Sequence, residues 1–143
     1  MAAKRRELGK SSIFLDSGIL IAFLNARDRW HPQAVTLFNG ARPRWTTSIL
    51  VVAETYSWFL HRMGEEAARE FRSFLHSLSG LQVFDAPAAH DGEVGRMLEL
   101  LRGSKLTYVD ASSLALIQQH KIRTIWATDH HLGLTGAEVR PRS

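Results

Sequence analysis

The sequence predicts an α/β fold in which helices cover both faces of a central parallel sheet. Short apolar segments with strand character alternate along the chain with longer segments whose apolar residues recur at helical spacing. The chain has 143 residues, of which 45% are hydrophobic and 22% charged, enough for one packed core. It contains no internal repeat or interdomain linker, so residues 1–143 are expected to form one domain, with a flexible basic tail over residues 1–11.

Residues that start and stop helices fix most of the predicted boundaries. Pro32 suits the first turn of a helix, and Gly40 and Gly64 are suited to end one. The predicted elements are, in order, strand 13–15, helix 17–24, a helix from Pro32 to Gly40, strand 45–47, a helix from Ser48 to about Met63, a helix from Glu65 to about Leu78, strand 81–84, helix 87–101, helix 107–119, a strand within 121–127, a short turn or helix at 129–134 and an edge strand at 138–139.

The overall charge and the missing cysteines narrow the range of functions. The net charge of +4 and the pI near 10.0 favour an anionic partner, with nucleic acid before membrane. Without cysteine the chain has no disulfide, thiolate metal site or cysteine nucleophile. Lys4, Arg5 and Arg6 precede an apolar segment, but Asp16 and Gly18 interrupt it and no segment is long enough to span a bilayer. We therefore expect a soluble cytoplasmic protein.

Two acids directly follow predicted strands. Asp16 ends the segment Ile13-Phe14-Leu15, and Asp129 follows a strand that ends near Ala127. In an open α/β sheet, ligands bind beyond the carboxyl ends of the strands, so both side chains are expected at that edge. Each acid has an alternative interpretation as a cap of the helix or turn that follows it.

Two further acids lie on predicted helices. Glu54 stands in an apolar helix between Leu50 and Trp58, where a carboxylate requires a cation or a hydrogen-bond donor. Its alternative is a salt bridge to an arginine. Asp110 follows Thr107 at the spacing of a capping box, a role that is compatible with a side chain facing the same crevice.

The combination of acids predicts a divalent-metal centre for phosphodiester hydrolysis. Carboxylates suit Mg²⁺ or Mn²⁺, whereas zinc is not expected, because the chain lacks thiolates and has no histidine pair at helical ligand spacing. His130 and His131 are adjacent in sequence and are expected to be exposed. The candidate supporting hydroxyls are those of Ser17, Thr128 and Ser112.

The motifs together resemble the PIN-domain ribonuclease family, most closely its VapC-like branch, the toxins of type II toxin–antitoxin systems. The resemblance rests on Phe14-Leu15-Asp16-Ser17, Val52-Ala53-Glu54, Leu106-Thr107-Tyr108-Val109-Asp110-Ala111 and Ala127-Thr128-Asp129, and on their order and separations, over nearly the whole chain. It implies a three-layer α/β/α PIN-like domain that acts as a Mg²⁺- or Mn²⁺-dependent endoribonuclease, with a metal-activated water in a pocket formed by Asp16, Glu54, Asp110 and Asp129.

The resemblance also implies partners. It implies an RNA substrate, a homodimer, and a small antitoxin that fills the acidic pocket. In one respect the chain departs from the family pattern: some relatives carry another acid just after the fourth one, whereas here His130 and His131 follow Asp129. The number of metal ions is therefore left open.

An acidic pocket that binds RNA needs cations around it. The candidate RNA-binding residues are Arg42, Arg44, Arg62, Arg102, Lys105 and Arg123. Phosphoacceptor domains and aspartate-nucleophile phosphatases are disfavoured, because Ser17 and Gly18 stand where those proteins carry a second acid. The alternatives that stay open are an RNA-processing PIN nuclease without an antitoxin, and a catalytically idle domain that binds RNA or protein.

Overall fold

The computed structural model describes residues 12–40 and 42–142, so the predicted basic tail lies outside the described residues. Its five strands are β1 (Ser12–Leu15), β2 (Arg44–Ser48), β3 (Gln82–Phe84), β4 (Thr124–Trp126) and β5 (Glu138–Arg140). Its six α-helices are α1 (Ser17–Leu24), α2 (His31–Asn39), α3 (Ile49–Met63), α4 (Glu65–Ser77), α5 (His90–Leu100) and α6 (Tyr108–Gln119), and a 3₁₀ turn spans His130–Gly133.

The strands form one parallel sheet in the order β3-β2-β1-β4-β5. The predicted three-layer α/β/α class with a central parallel sheet is confirmed. The chain moves outward from β1 through β2 to β3, and then returns to the other side of β1 to form β4 and β5. The order therefore reverses between β1 and β4, and a crevice opens at such a point beyond the carboxyl ends of the strands.

β1 is the central strand of the sheet, with β2 on one side and β4 on the other. Phe14 and Leu15 are both 0% exposed. Adjacent side chains of a strand point to opposite faces, so both faces of the sheet are covered here. On β4, Ile125 and Trp126 are also buried. The residues that follow these two strands are thus held at the rim of the core.

Hydrogen bonds fix the carboxyl end of β1 against both neighbours. The Thr47 hydroxyl donates to the carbonyl of Leu15 at 2.8 Å, and the Asp16 amide donates to the carbonyl of Trp126 at 3.0 Å. Asp16 is therefore joined to the sheet through its backbone, which sets the direction of its side chain.

The observed element bounds follow the sequence prediction closely, with one clear difference. The helix predicted to begin at Pro87 begins at His90, because residues 87–92 are first joined by bonds over three residues, such as that from the His90 amide to the Pro87 carbonyl. No helix in the described part of the chain is long and apolar enough to cross a membrane.

Candidate metal centre at the carboxyl edge of the sheet

Asp16 is the buried centre of the site. It occupies the N-cap position of α1, but its side chain makes no capping hydrogen bond. The residue is 4% exposed, and its Oδ1 atom has no hydrogen-bond partner among the described residues. A buried carboxylate oxygen without a donor is costly, so the capping interpretation does not account for this side chain.

Burial and the other acids together raise the pKa of Asp16. Desolvation is the main cause that raises the pKa of Asp16 from 3.8 to about 7, and the backbone amide of Ser17 opposes it in part. The negative charges of Asp110, Glu54 and Asp129 raise the pKa further. The four acids singled out in the sequence are therefore close enough for their charges to interact.

Glu54 joins the site through Ser17. The Ser17 hydroxyl donates to Oε1 of Glu54 at 2.6 Å, so the first residue of α1 fixes a carboxylate on α3. Within residues 12–40 and 42–142, the ion pairs do not include Glu54, and the alternative of a salt bridge to an arginine finds no support there.

Thr128 packs against the first turn of α1 at Gly18. A Cβ atom added to Gly18 would lie 2.2 Å from Oγ1 of Thr128, a distance that real Cβ atoms do not show. A larger residue at this position would therefore require the Thr128 side chain to move, and glycine allows a close approach between the two segments that carry Asp16 and Asp129. The hydroxyls of Ser17 and Thr128 thus both lie at the first turn of α1, beside Asp16.

Asp110 has a local role that leaves it at the same edge. The Asp110 amide donates to Oγ1 of Thr107 at 3.1 Å, and Oδ2 of Asp110 accepts from the Thr107 amide at 3.2 Å. The capping box is therefore present. It uses one carboxylate oxygen, and the helix start holds the side chain in a fixed direction.

Asp129 lies beside Asp110 and brings a histidine with it. Oδ1 of Asp129 accepts from the His131 amide at 2.9 Å and lies 3.0 Å from Nδ1 of the same residue. In the described residues, Asp110, Asp129 and His131 form one group whose metal-ligating atoms all lie within 4.8 Å of one another. Asp16 and Glu54 stand next to this group but outside that limit. The sequence prediction had treated His131 only as an exposed neighbour of Asp129.

The residues present fit a hard divalent cation. The unpartnered Oδ1 of Asp16 is buried among three further carboxylates, and no lysine or arginine in the described residues forms an ion pair with any of the four. Oxygen donors at this density repel one another unless protons or a cation compensate them. Asp16, Glu54, Asp110 and Asp129 offer oxygen donors of the kind that a hard divalent cation requires.

Ser112 does not join the carboxylates. Its buried hydroxyl lies 2.7 Å from Nε2 of His90, in the contact between α5 and α6. Residues two apart on a helix point in nearly opposite directions, so a helix that aims Asp110 at the crevice turns Ser112 away from it. Its prediction as a supporting hydroxyl fails for this reason.

The cations predicted to bind RNA are spread around the molecule. Arg44 begins β2, and Arg42 and Arg123 shortly precede β2 and β4, so these three lie at the amino edge of the sheet, away from the acids. Arg62 lies in the last turn of α3 and stacks over Trp58, with its Cζ atom 5.8 Å from the ring centroid. Arg102 and Lys105 lie in the loop that leads into α6 and Asp110.

Comparison with known proteins identifies the family of this acid-lined α/β domain. The PIN domain profile matches residues 13–136, and the chain belongs to the PIN domain family. None of the curated proteins matches it at a significant level.

Similar solved structures include toxins and their complexes. VapC20 of Mycobacterium tuberculosis, described as a toxin that cleaves the sarcin–ricin loop, is 28% identical with a TM-score of 0.81, over 90% of this chain and 99% of that one. FitAcB of Neisseria gonorrhoeae is 18% identical with a TM-score of 0.62, over 89% and 95% of the two chains. VapBC2 of Rickettsia felis, bound to a promoter DNA fragment, is 14% identical with a TM-score of 0.59, over 92% and 99%. The last two comparisons show only that those proteins share the fold of this chain.

The contact between Gly18 and Thr128 gives a prediction for stability. Gly18→Ala places a methyl group against Oγ1 of Thr128 and should lower the melting temperature, although alanine is the better helix residue. In a Thr128→Ala background the nearest remaining atoms are at 3.4 Å, and the same substitution should be neutral or stabilising. A double-mutant cycle by thermal unfolding should give a coupling of about 1 kcal/mol or more; additive effects would contradict the contact.

The raised pKa of Asp16 gives a prediction for pH dependence. Between about pH 4 and pH 7 the folded state keeps a proton that the unfolded state releases, so the metal-free protein should lose stability as the pH rises through this range. Asp16→Asn stays uncharged and should be more stable than the wild type at pH 8, by up to about 4 kcal/mol, and equal to it near pH 4.

Denaturant unfolding in EDTA at both pH values measures this difference. Asp85→Asn, at an exposed position, is the matched control and should show no such pH-dependent gain. If Asp16→Asn were instead strongly destabilised at pH 8, Asp16 would be a structural residue.

Proposed function

We propose that this protein is a Mg²⁺- or Mn²⁺-dependent endoribonuclease that hydrolyses RNA phosphodiester bonds at the four-carboxylate pocket. The observation that carries the proposal is the buried Asp16, whose Oδ1 lacks a partner and which lies among Glu54, Asp110 and Asp129. Membership of the PIN domain family supports nuclease chemistry independently of this geometry.

When bound, the cation supplies Lewis acidity, which makes a water nucleophilic and neutralises charge that develops on the phosphate. The protein's own contribution is to fix the ligands before that event. Hydrogen bonds from Ser17 to Glu54, from the Thr107 amide to Asp110 and from the His131 amide to Asp129 each hold one carboxylate oxygen. Each acid therefore keeps its second oxygen for another partner, in a direction that its local structure has set.

Burial of Asp16 contributes in a second way. Its carboxylate lies on the core side of the pocket and is shielded from water, where attraction to a dication is stronger than at the surface. Asp129 is the most exposed of the other acids, with 47% of its side chain accessible, and RNA must approach from the solvent side. The substrate is expected to enter from this open side.

The loop before α6 is the best candidate for phosphate contacts. Arg102 and Lys105 precede Asp110 by only a few residues, and Arg102 is largely exposed beside Glu99. Arg44 and Arg123, at the amino edge of the sheet, are poorly situated for an RNA that crosses the pocket. Arg42 lies at the same edge as these two residues. Arg62, near the end of α3, is placed for RNA contact less well than the loop before α6 and better than the amino edge.

The biological role that we propose is that of a toxin with a small antitoxin partner. The support comes from the similar structures, which include the toxin VapC20, a toxin–antitoxin complex from Klebsiella pneumoniae, and VapBC2. The homodimer stays a prediction from the resemblance, and the cytoplasmic location stays a prediction from the sequence. An RNA-processing nuclease without an antitoxin would use the same pocket and the same chemistry.

The decisive experiment is RNA cleavage by the purified protein with and without metal. Cleavage should require Mg²⁺ or Mn²⁺, stop in EDTA, and fall by at least about a hundredfold in Asp16→Asn, because a ligand in the buried part of the pocket is lost. Asp85→Asn is the control and should cleave normally. RNA binding without cleavage by the wild type in Mn²⁺ would instead identify a catalytically idle domain.

A salt titration of RNA binding tests the cationic loop. In the presence of Ca²⁺ or with the Asp16→Asn variant, binding should weaken as salt rises, with a linear log–log plot. Lys105→Gln should reduce the slope by about 0.7, the value for one phosphate contact with a single strand, while Arg44→Gln at the opposite edge should leave it unchanged. Equal effects of the two substitutions would show that the loop has no special role.

A further inference from the structure

We propose that His131 is a further ligand of the cation, and that its imidazole shifts the preference of the site from Mg²⁺ toward Mn²⁺ and other first-row transition ions. The inference rests on the proposed function, because it concerns the cation of the same pocket. It adds a nitrogen donor to a site that the acids alone would make entirely of oxygen.

The first support is the position of the ring. One nitrogen of His131 and one carboxylate oxygen each from Asp110 and Asp129 all lie within 4.8 Å of one another. Two ligands of one ion, each about 2.1 Å from it, are at most about 4.2 Å apart, so small side-chain rotations are enough to bring the three together. His131 and Asp129 are each 47% exposed, which leaves room for such rotations.

The second support comes from outside this group. The buried Asp16 has an oxygen without a partner, and it follows β1, which pairs directly with β4, the strand that leads into Asp129 and His131. Asp16 therefore lies on the core side of the crevice beyond these two strands, and the half-exposed His131 lies on its solvent side. A cation in this space would meet oxygen donors on one side and an imidazole on the other.

The 3₁₀ turn explains why His131 takes this position and His130 does not. Oδ1 of Asp129 accepts from the His131 amide, and this closes the turn and points the His131 ring back toward Asp129. The preceding residue, His130, starts the turn and is not part of the group of ligand atoms. The two adjacent histidines thus provide a matched pair for experiment.

The chemical consequence follows from ligand preference. Carboxylate oxygens suit Mg²⁺ and Mn²⁺ alike, whereas imidazole nitrogen favours transition ions over Mg²⁺. The alternative role for His131 is to orient Asp129 through the Nδ1 contact without touching the cation. Loss of an orienting residue would weaken binding of both ions, while loss of a nitrogen ligand weakens Mn²⁺ selectively.

Pulsed electron paramagnetic resonance on the full-length protein with one equivalent of Mn²⁺ tests the proposal directly. Nitrogen modulation from a bound imidazole should appear in the wild type and in His130→Gln, and disappear in His131→Gln. Calorimetric titration should show Mn²⁺ affinity lowered about tenfold or more in His131→Gln, with Mg²⁺ affinity changed by less than about threefold. His131→Asp, which returns an oxygen ligand, should bind both ions without the nitrogen signal.

Three results would overturn the inference. Mn²⁺ binding that is lost in Asp16→Asn but shows no nitrogen modulation in the wild type would remove His131 as a ligand and leave the proposed nuclease function intact. Equal losses of Mg²⁺ and Mn²⁺ affinity in His131→Gln would reduce His131 to an orienting residue. Mn²⁺ binding that is absent, or unaffected by Asp16→Asn, would overturn both this inference and the proposed function.

Discussion

The cost of burying the Asp16 carboxylate is the constraint on which the rest of the site depends. β1 is enclosed on both faces and both edges, so the residue that follows it has little access to water. An isolated carboxylate in such a position is destabilising and takes up a proton unless a cation compensates its charge. The pKa of Asp16 is raised because of this cost, and the negative charges of the three nearby acids raise it further. A site arranged in this way is suited to a divalent ion.

Asp110 and Asp129 have local structural roles that leave them at the edge of the sheet where Asp16 lies. Asp110 completes the capping box of α6, and Asp129 closes a 3₁₀ turn, yet both stand at the carboxyl edge of the sheet. The two interpretations that the sequence left open for these residues are therefore compatible. The local bonds remove rotational freedom from the side chains, which reduces the entropy lost when a ligand is bound.

Close backbone packing brings the two halves of the site together. Asp16 belongs to the segment after β1 and Asp129 to the segment after β4, and the sheet order makes these strands neighbours. Gly18 then allows Thr128 to approach the first turn of α1. Ser17 extends the connection to Glu54 on α3. These contacts join three separate parts of the chain at the pocket.

Hydrophobic periodicity and capping are local properties that neighbouring residues decide, so the elements and the acids at their ends could be predicted from the sequence. Helix α1 and the capping box at Thr107 were predicted in this way. The meeting of distant segments became visible in the folded domain: His131 faces Asp110, Ser112 pairs with His90, and Arg44 lies at the far edge of the sheet. Strand order and side-chain direction set these contacts, and both depend on packing across the whole domain, which spacing along the chain does not encode.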